Sequence, residues 1–105
     1  MSIDTHRRVS ARAVEDIDAP DVLPGDVEVR SFEGAVAGYG YACAGCGSRS
    51  WLAIGTDNPH PRWSVTAGDA AKLDTVTLSP SILHAADRGG CGWHGYLRNG
   101  VFEPC

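Results

Sequence analysis

The sequence lacks the marks of a membrane protein, of a secreted disulfide scaffold and of a helical zinc protease. No run of eighteen apolar residues occurs among its 105, so nothing reads as a membrane-spanning helix. The first residues, Met1 to Arg8, carry no apolar core of a signal peptide, which argues for a reducing compartment and against two structural disulfides. H-E-x-x-H is absent, and no βαβ pattern surrounds the one C-x-x-C, which sets aside thioredoxin-like redox chemistry. There is no repeat, no low-complexity tract and no long amphipathic helix. Positive charge is also scarce. The net charge is −4, and residues 1 to 33 hold eight acidic and four basic side chains against five of each in the rest. A neutral remainder lacks the electrostatic footprint of a duplex-DNA binder.

What is present concentrates in the last sixteen residues. Trp93, Tyr96 and Leu97 lead to Asn99-Gly100, and Val101 and Phe102 follow. Asn-Gly between two short apolar runs predicts a type I′ hairpin, because both central residues must take positive φ. Cys91 and Cys105 flank the turn, so the hairpin is expected to bring two thiols together. Their partners lie earlier: Cys43 and Cys46 form C-x-x-C with Gly45 and Gly47 allowing a tight bend. The set reads as a zinc-ribbon-like site of Cys43, Cys46, Cys91 and Cys105, tetrahedral around Zn2+. His94, three residues after Cys91, is the rival fourth ligand if the chain bends at Gly92. His6, His60 and His84 read as surface or loop residues.

A chain of this length makes one domain with a modest core, burying roughly two-thirds of its unfolded surface. A structural zinc would help it, since apparent binding energies run to about 10–16 kcal/mol. Residues 1–20 read as a flexible or extended N-terminal arm, the first dozen as a mobile polar tail, and residues 21–105 as the zinc-stabilised domain. Within it, Asp26 to Phe32, Ser50 to Ile54, Arg62 to Thr66 and Thr75 to Leu78 are predicted strands, the last continuing through Ser79 to Leu83 past Pro80. Gly34 to Gly40 reads as a turn or bulge, residues 56–61 as a loop, residues 68–74 as at most one helical turn, and Ala85 to Gly90 as a polar loop. The fold class is mostly β, with six or seven short strands.

These motifs in this order resemble a small family from bacteria and tailed phages, whose phage copies often carry the label ammonia monooxygenase. The shared features are C-x-x-C-G, Pro61-Arg-Trp-Ser-Val65, Thr77-Leu-Ser-Pro-Ser-Ile82, Gly90-Cys-x-x-His94 and the closing hairpin, over residues 21 to 105. The resemblance implies a zinc-site β protein. Some bacterial relatives sit in operons for ubiquitin-like conjugation, where a peptidase role is suggested. Carried over, Cys43, Cys46 and Cys91 match the cysteines, His94 the histidine and Ser81 the serine of T-x-x-P-S. The knuckle has one cysteine fewer than the C-x-C-G-C form, and Trp93 stands where a serine often precedes the histidine.

On the residues themselves the favoured function is a zinc-stapled β module that binds a protein partner; the resemblance implies a phage-encoded one, host-directed or virion accessory, in the host cytoplasm or the virion. The alternative is a zinc-containing peptidase acting on a ubiquitin-like conjugate, with Ser81 as nucleophile and His94 as base. On the module reading those two side chains do not meet, because the Ser81 hydroxyl is better placed to satisfy nearby backbone. A second alternative is single-stranded nucleic-acid binding by Arg49, Arg62, Arg88 and Arg98 interleaved with Trp51, Trp63 and Trp93.

Overall fold

The computed structural model describes residues 6–54 and 63–105; the expected loop at 56–61, with His60, and Arg62 lie outside them. The described residues are mostly β. Ten short strands follow one another: β1 (Val9–Ser10), β2 (Arg12–Ala13), β3 (Asp26–Phe32), β4 (Ala35–Ala42), β5 (Arg49–Ala53), β6 (Ser64–Ala67), β7 (Thr77–Ser79), β8 (Ile82–Leu83), β9 (His94–Arg98) and β10 (Val101–Pro104). They form one sheet in the order β1-β10-β9-β8, a second in the order β2-β3-β4-β5, and the pair β6-β7. The predicted helical turn is a 3-10 turn at Leu73–Thr75, and another, Ala86–Arg88, lies in the polar loop before Cys91. Among the described residues no helix is long and apolar enough to cross a membrane.

The core forms between the two larger sheets because each strand turns alternate residues inward. Ile82, Leu97 and Phe102 from the first sheet meet Val27, Tyr39 and Leu52 from the second, with Trp93 fully buried among them. Burying one such side chain contributes about 1.5–3 kcal/mol. The Trp93 indole N–H donates to the carbonyl of Arg7 at 3.0 Å, so its one polar atom is satisfied.

The hairpin forms as expected. Asn99 and Gly100 take φ of 50° and 75°, joining β9 to β10. Gly100 is required twice over, since an added Cβ would also lie 2.6 Å from Asp74 Cα.

Three expectations are corrected. Gly34 to Gly40 is a turn or bulge only in part: Gly34 turns with Glu33 and the β3–β4 register shifts at Ala37, but the rest runs within Ala35–Ala42, the longest strand. Its glycines make room for neighbours, since a Cβ on Gly38 would lie 2.5 Å from the Trp51 ring and one on Gly40 would lie 3.1 Å from Ile17. The N-terminal segment is extended but not a mobile tail from Val9 on. Val9 pairs with Phe102 across β1 and β10, and Arg12 makes a two-pronged ion pair with the buried Asp26 at 2.9 and 2.6 Å. The segment Thr75 to Leu83 is not one strand. Pro80, with no N–H to give a ladder, separates β7, which pairs with β6, from β8, which pairs with β9.

Candidate active site and thiol cluster

Ser81 and His94 meet. In the β8–β9 pairing Ile82 faces Gly95 and Leu83 faces His94. Ile82 is buried, so its neighbours Ser81 and Leu83 project from the other face. Trp93 likewise points into the core, which turns His94 outward onto that face. Ser81 is therefore a diagonal cross-strand neighbour of His94. Its Oγ lies 2.8 Å from His94 Nε2. The expectation that the hydroxyl would serve local backbone is overturned by this register. The Ser81 group engaged by a neighbour on the other side is its carbonyl, which accepts from Trp63 Nε1 at 3.3 Å.

Ser81 lines a cleft of about 540 Å³ together with Trp63, Leu83, His84, Arg49 and Arg88. His84, read from sequence as a loop residue, is half-buried here and shares a 2.7 Å hydrogen bond with the Tyr41 hydroxyl, ring edge against ring face. Burial lowers the His84 pKa and raises that of Tyr41, so both groups are neutral near pH 7. Sequence offered no signal for this pair, because 43 residues separate its members.

The thiols divide differently from expectation. Cys43, Cys46 and Cys91 cluster with their sulfurs all within 4.8 Å of one another, and Cys105 is outside the group, exposed at the chain end. The hairpin register explains it. Gly95 faces Pro104, and the Cys105 amide donates to the His94 carbonyl at 2.9 Å, so Cys105 stops three residues short of Cys91. Gly92, at φ 90°, turns the chain between Cys91 and the strand, but neither ring nitrogen of the outward-facing His94 comes within reach of the three sulfurs. Neither of the two candidates for fourth ligand joins the three.

The three sulfurs fit a metal. Cys43 Sγ and Cys91 Sγ are 3.6 Å apart, close to the about 3.8 Å edge of a tetrahedron with 2.3 Å metal–sulfur bonds. The Gly45 N–H donates to Cys43 Sγ at 3.3 Å, the backbone support a thiolate ligand receives in a knuckle. Burial pushes the Cys43 thiol up to about 12. For Cys46, partial burial raises the pKa, but hydrogen bonding to Ser48 and the neighbouring thiols bring it below the usual range. A cation at the cluster would favour all three thiolates and displace their protons.

The arginine–tryptophan patch assembles only in part among the described residues: Arg49, Arg88 and Trp63 line the cleft, and the others go elsewhere. Trp93 is core, Trp51 lies under Arg30 at 5.9 Å, Arg98 stacks on Tyr96 at 4.2 Å, and Arg49 bonds the carbonyls of Ile17, Gly47 and Ala19.

A serine hydroxyl held by an imidazole on the wall of a cleft is the nucleophile-and-base arrangement of serine hydrolases. A family model described as bacterial ubiquitination-like system serine protease (BubE) matches residues 13–105, and the chain belongs to that family. No curated protein and no solved structure matches the chain.

Proposed function

We propose that the protein is a serine peptidase acting on a ubiquitin-like protein or its conjugates, with Ser81 as nucleophile and His94 as general base. The observation that carries this reading is the 2.8 Å contact between Ser81 Oγ and His94 Nε2, within the range a nucleophile and base need. Membership of the family supports the substrate class. The contact also moves the balance away from the binding module.

The chemistry proceeds in two halves. As Ser81 Oγ attacks the amide carbon, His94 takes the hydroxyl proton, and the new C–O bond gives a tetrahedral oxyanion. That intermediate collapses by breaking the C–N bond while His94 returns the proton to the leaving amine, leaving an acyl-serine. Water then attacks the ester with His94 again accepting a proton. The second tetrahedral intermediate collapses by breaking the bond between the acyl carbon and Oγ while His94 returns its proton to Oγ, which releases the carboxylic acid and restores the Ser81 hydroxyl. No carboxylate bonds His94 among the described residues, so these residues supply a dyad.

Cys43, Cys46 and Cys91 would hold one zinc, which when bound supplies a structural cross-link and not a reacting group. Three soft thiolates suit zinc and give weak Lewis acidity. The cross-link ties the turn between β4 and β5 to the segment that leads into β9, whose first residue is His94. Holding a metal, the three cysteines would thereby steady the strand that carries the base.

The test is incubation of purified protein with a ubiquitin-like protein bearing a C-terminal extension, read by intact mass. Cleavage by the wild type that disappears in both Ser81→Ala and His94→Ala, with metal content unchanged, is the expected result. Cleavage that survives Ser81→Ala would overturn the assignment.

A further inference from the structure

The first sheet ends at β8, and what its outer edge offers bears on how a substrate lies beside Ser81. The His84 N–H donates to the Trp93 carbonyl at 2.9 Å, which makes 84 and 93 a hydrogen-bonded pair. In an antiparallel ladder such pairs alternate, so Leu83, facing His94, turns its own N–H and C=O away from β9. The Ser81 carbonyl has the same parity and does point outward, where it meets the Trp63 indole. No described residue hydrogen-bonds the Leu83 main chain, and its side chain is 58% exposed on the cleft wall. Among the described residues the edge is short, starts beside the nucleophile and, at Leu83, has no strand paired to its outer side.

The charge of the same cleft is one-sided. Among the described residues its lining holds Arg49 and Arg88 and no aspartate or glutamate, in a chain whose net charge is −4. Arg49 is held in place by three backbone carbonyls and forms no ion pair with a described carboxylate. Arg88 is exposed just past the end of β8 and has no described ion-pair partner. A chain lying along β8 therefore passes Ser81 and the Leu83 main chain in a cleft that also holds two cations.

We propose that the substrate binds as an added extended strand on the outer edge of β8, clamped by the Leu83 main chain, with Arg88 and Arg49 selecting an acidic residue beside the scissile bond. Both arginines line the same cleft as Ser81, so the acidic residue they select lies close along the chain to the bond presented to Ser81. Main-chain hydrogen bonds supply grip in this mode of recognition, and the charge supplies selection. The proposal rests on the reading of Ser81 as nucleophile.

The experiment is a positional-scanning library of internally quenched peptides, with wild type, Arg88→Glu and Ser81→Ala compared. At one or more positions near the cut, an acidic residue is expected to raise kcat/KM about tenfold over its amide, the size of one charge-assisted hydrogen bond. Arg88→Glu should abolish that preference or reverse it toward lysine and arginine. N-methylation of the best peptide at the residue facing Leu83 should cost a further tenfold or more, whereas methylation one residue away should not. Ser81-dependent cleavage with no acidic preference, or a preference unchanged in Arg88→Glu, overturns the inference and leaves the nucleophile standing. Equal tolerance of methylation at both positions overturns the strand clamp. Absence of any Ser81-dependent cleavage removes the nucleophile and this inference together.

Discussion

Ser81 Oγ and His94 Nε2 lie 2.8 Å apart because two strands pair, not because a loop happens to fold over. The contact is diagonal across β8 and β9, and the buried side chains next to each partner, Ile82 and Trp93, fix which way both point. A site on paired strands holds its geometry better than one on free loops. The dyad needs no substrate to assemble.

The thiol grouping separates two cysteines that look alike in sequence. Cys91→Ser is expected to lower bound zinc well below one per chain, and Cys105→Ser to leave it unchanged, by elemental analysis of purified protein. Chelation should abolish the near-UV signal of the buried Trp93, which packs beside the cluster at Gly45. Zinc loss in Cys105→Ser with retention in Cys91→Ser would reverse the assignment.

Gly45 is a steric prediction. A Cβ there would lie 2.8 Å from Cys91 Sγ and 3.1 Å from Trp93 Cβ, with no flexible end to move aside. Gly45→Ala is expected to cost about 1–3 kcal/mol in denaturant unfolding and to weaken metal retention. Gly89→Ala serves as control for the assay of metal, since nothing lies within 4 Å of its added Cβ, although its φ of 84° carries its own strain.

Acid stability should track Asp26. Its carboxyl is held below the usual range by the Arg12 guanidinium, against the opposing effect of burial, and by the Leu23 N–H at 2.8 Å. A carboxyl with a depressed folded pKa contributes stability that is fully present above its unfolded value of about 3.9 and is lost as pH falls through the folded value. The wild type should therefore lose stability below about pH 4, and Asp26→Asn should flatten that part of the profile. Asp26→Ala, which leaves the Leu23 N–H without its acceptor, should cost about 1–3 kcal/mol at pH 7. Thermal melts from pH 2.5 to 7 decide it; an unchanged acid limb in Asp26→Asn would contradict the account.

The sequence was most legible where chemistry is local. Asn99-Gly100 announced its hairpin, Cys43 and Cys46 their knuckle, and the alternation from Asp26 to Phe32 its strand. It misled where a residue's role depends on register. The distance of Cys91 and Cys105 from the turn looked comparable, but the ladder puts Cys105 opposite His94. Gly38 and Gly40 look in sequence like part of a turn or bulge, whereas they sit in a strand with Trp51 and Ile17 packed over them, a long-range cause with no local trace. His84 and Tyr41, and the ion pair of Arg12 with Asp26, are likewise products of topology. Ser81 and His94 were nameable as candidates, but only the pairing of β8 with β9 puts them in contact.

The most direct measurement of the central claim is active-site labelling with a fluorophosphonate, which needs no knowledge of the natural substrate. Intact protein is treated with the probe, digested and sequenced by mass spectrometry. The expected result is a single adduct on Ser81, formed at a rate that falls by at least about a hundredfold in His94→Ala, the contribution of one positioned base, while zinc content and fold are unchanged. An unlabelled Ser81 in folded, metal-loaded protein, or labelling equally fast without His94, would contradict the account.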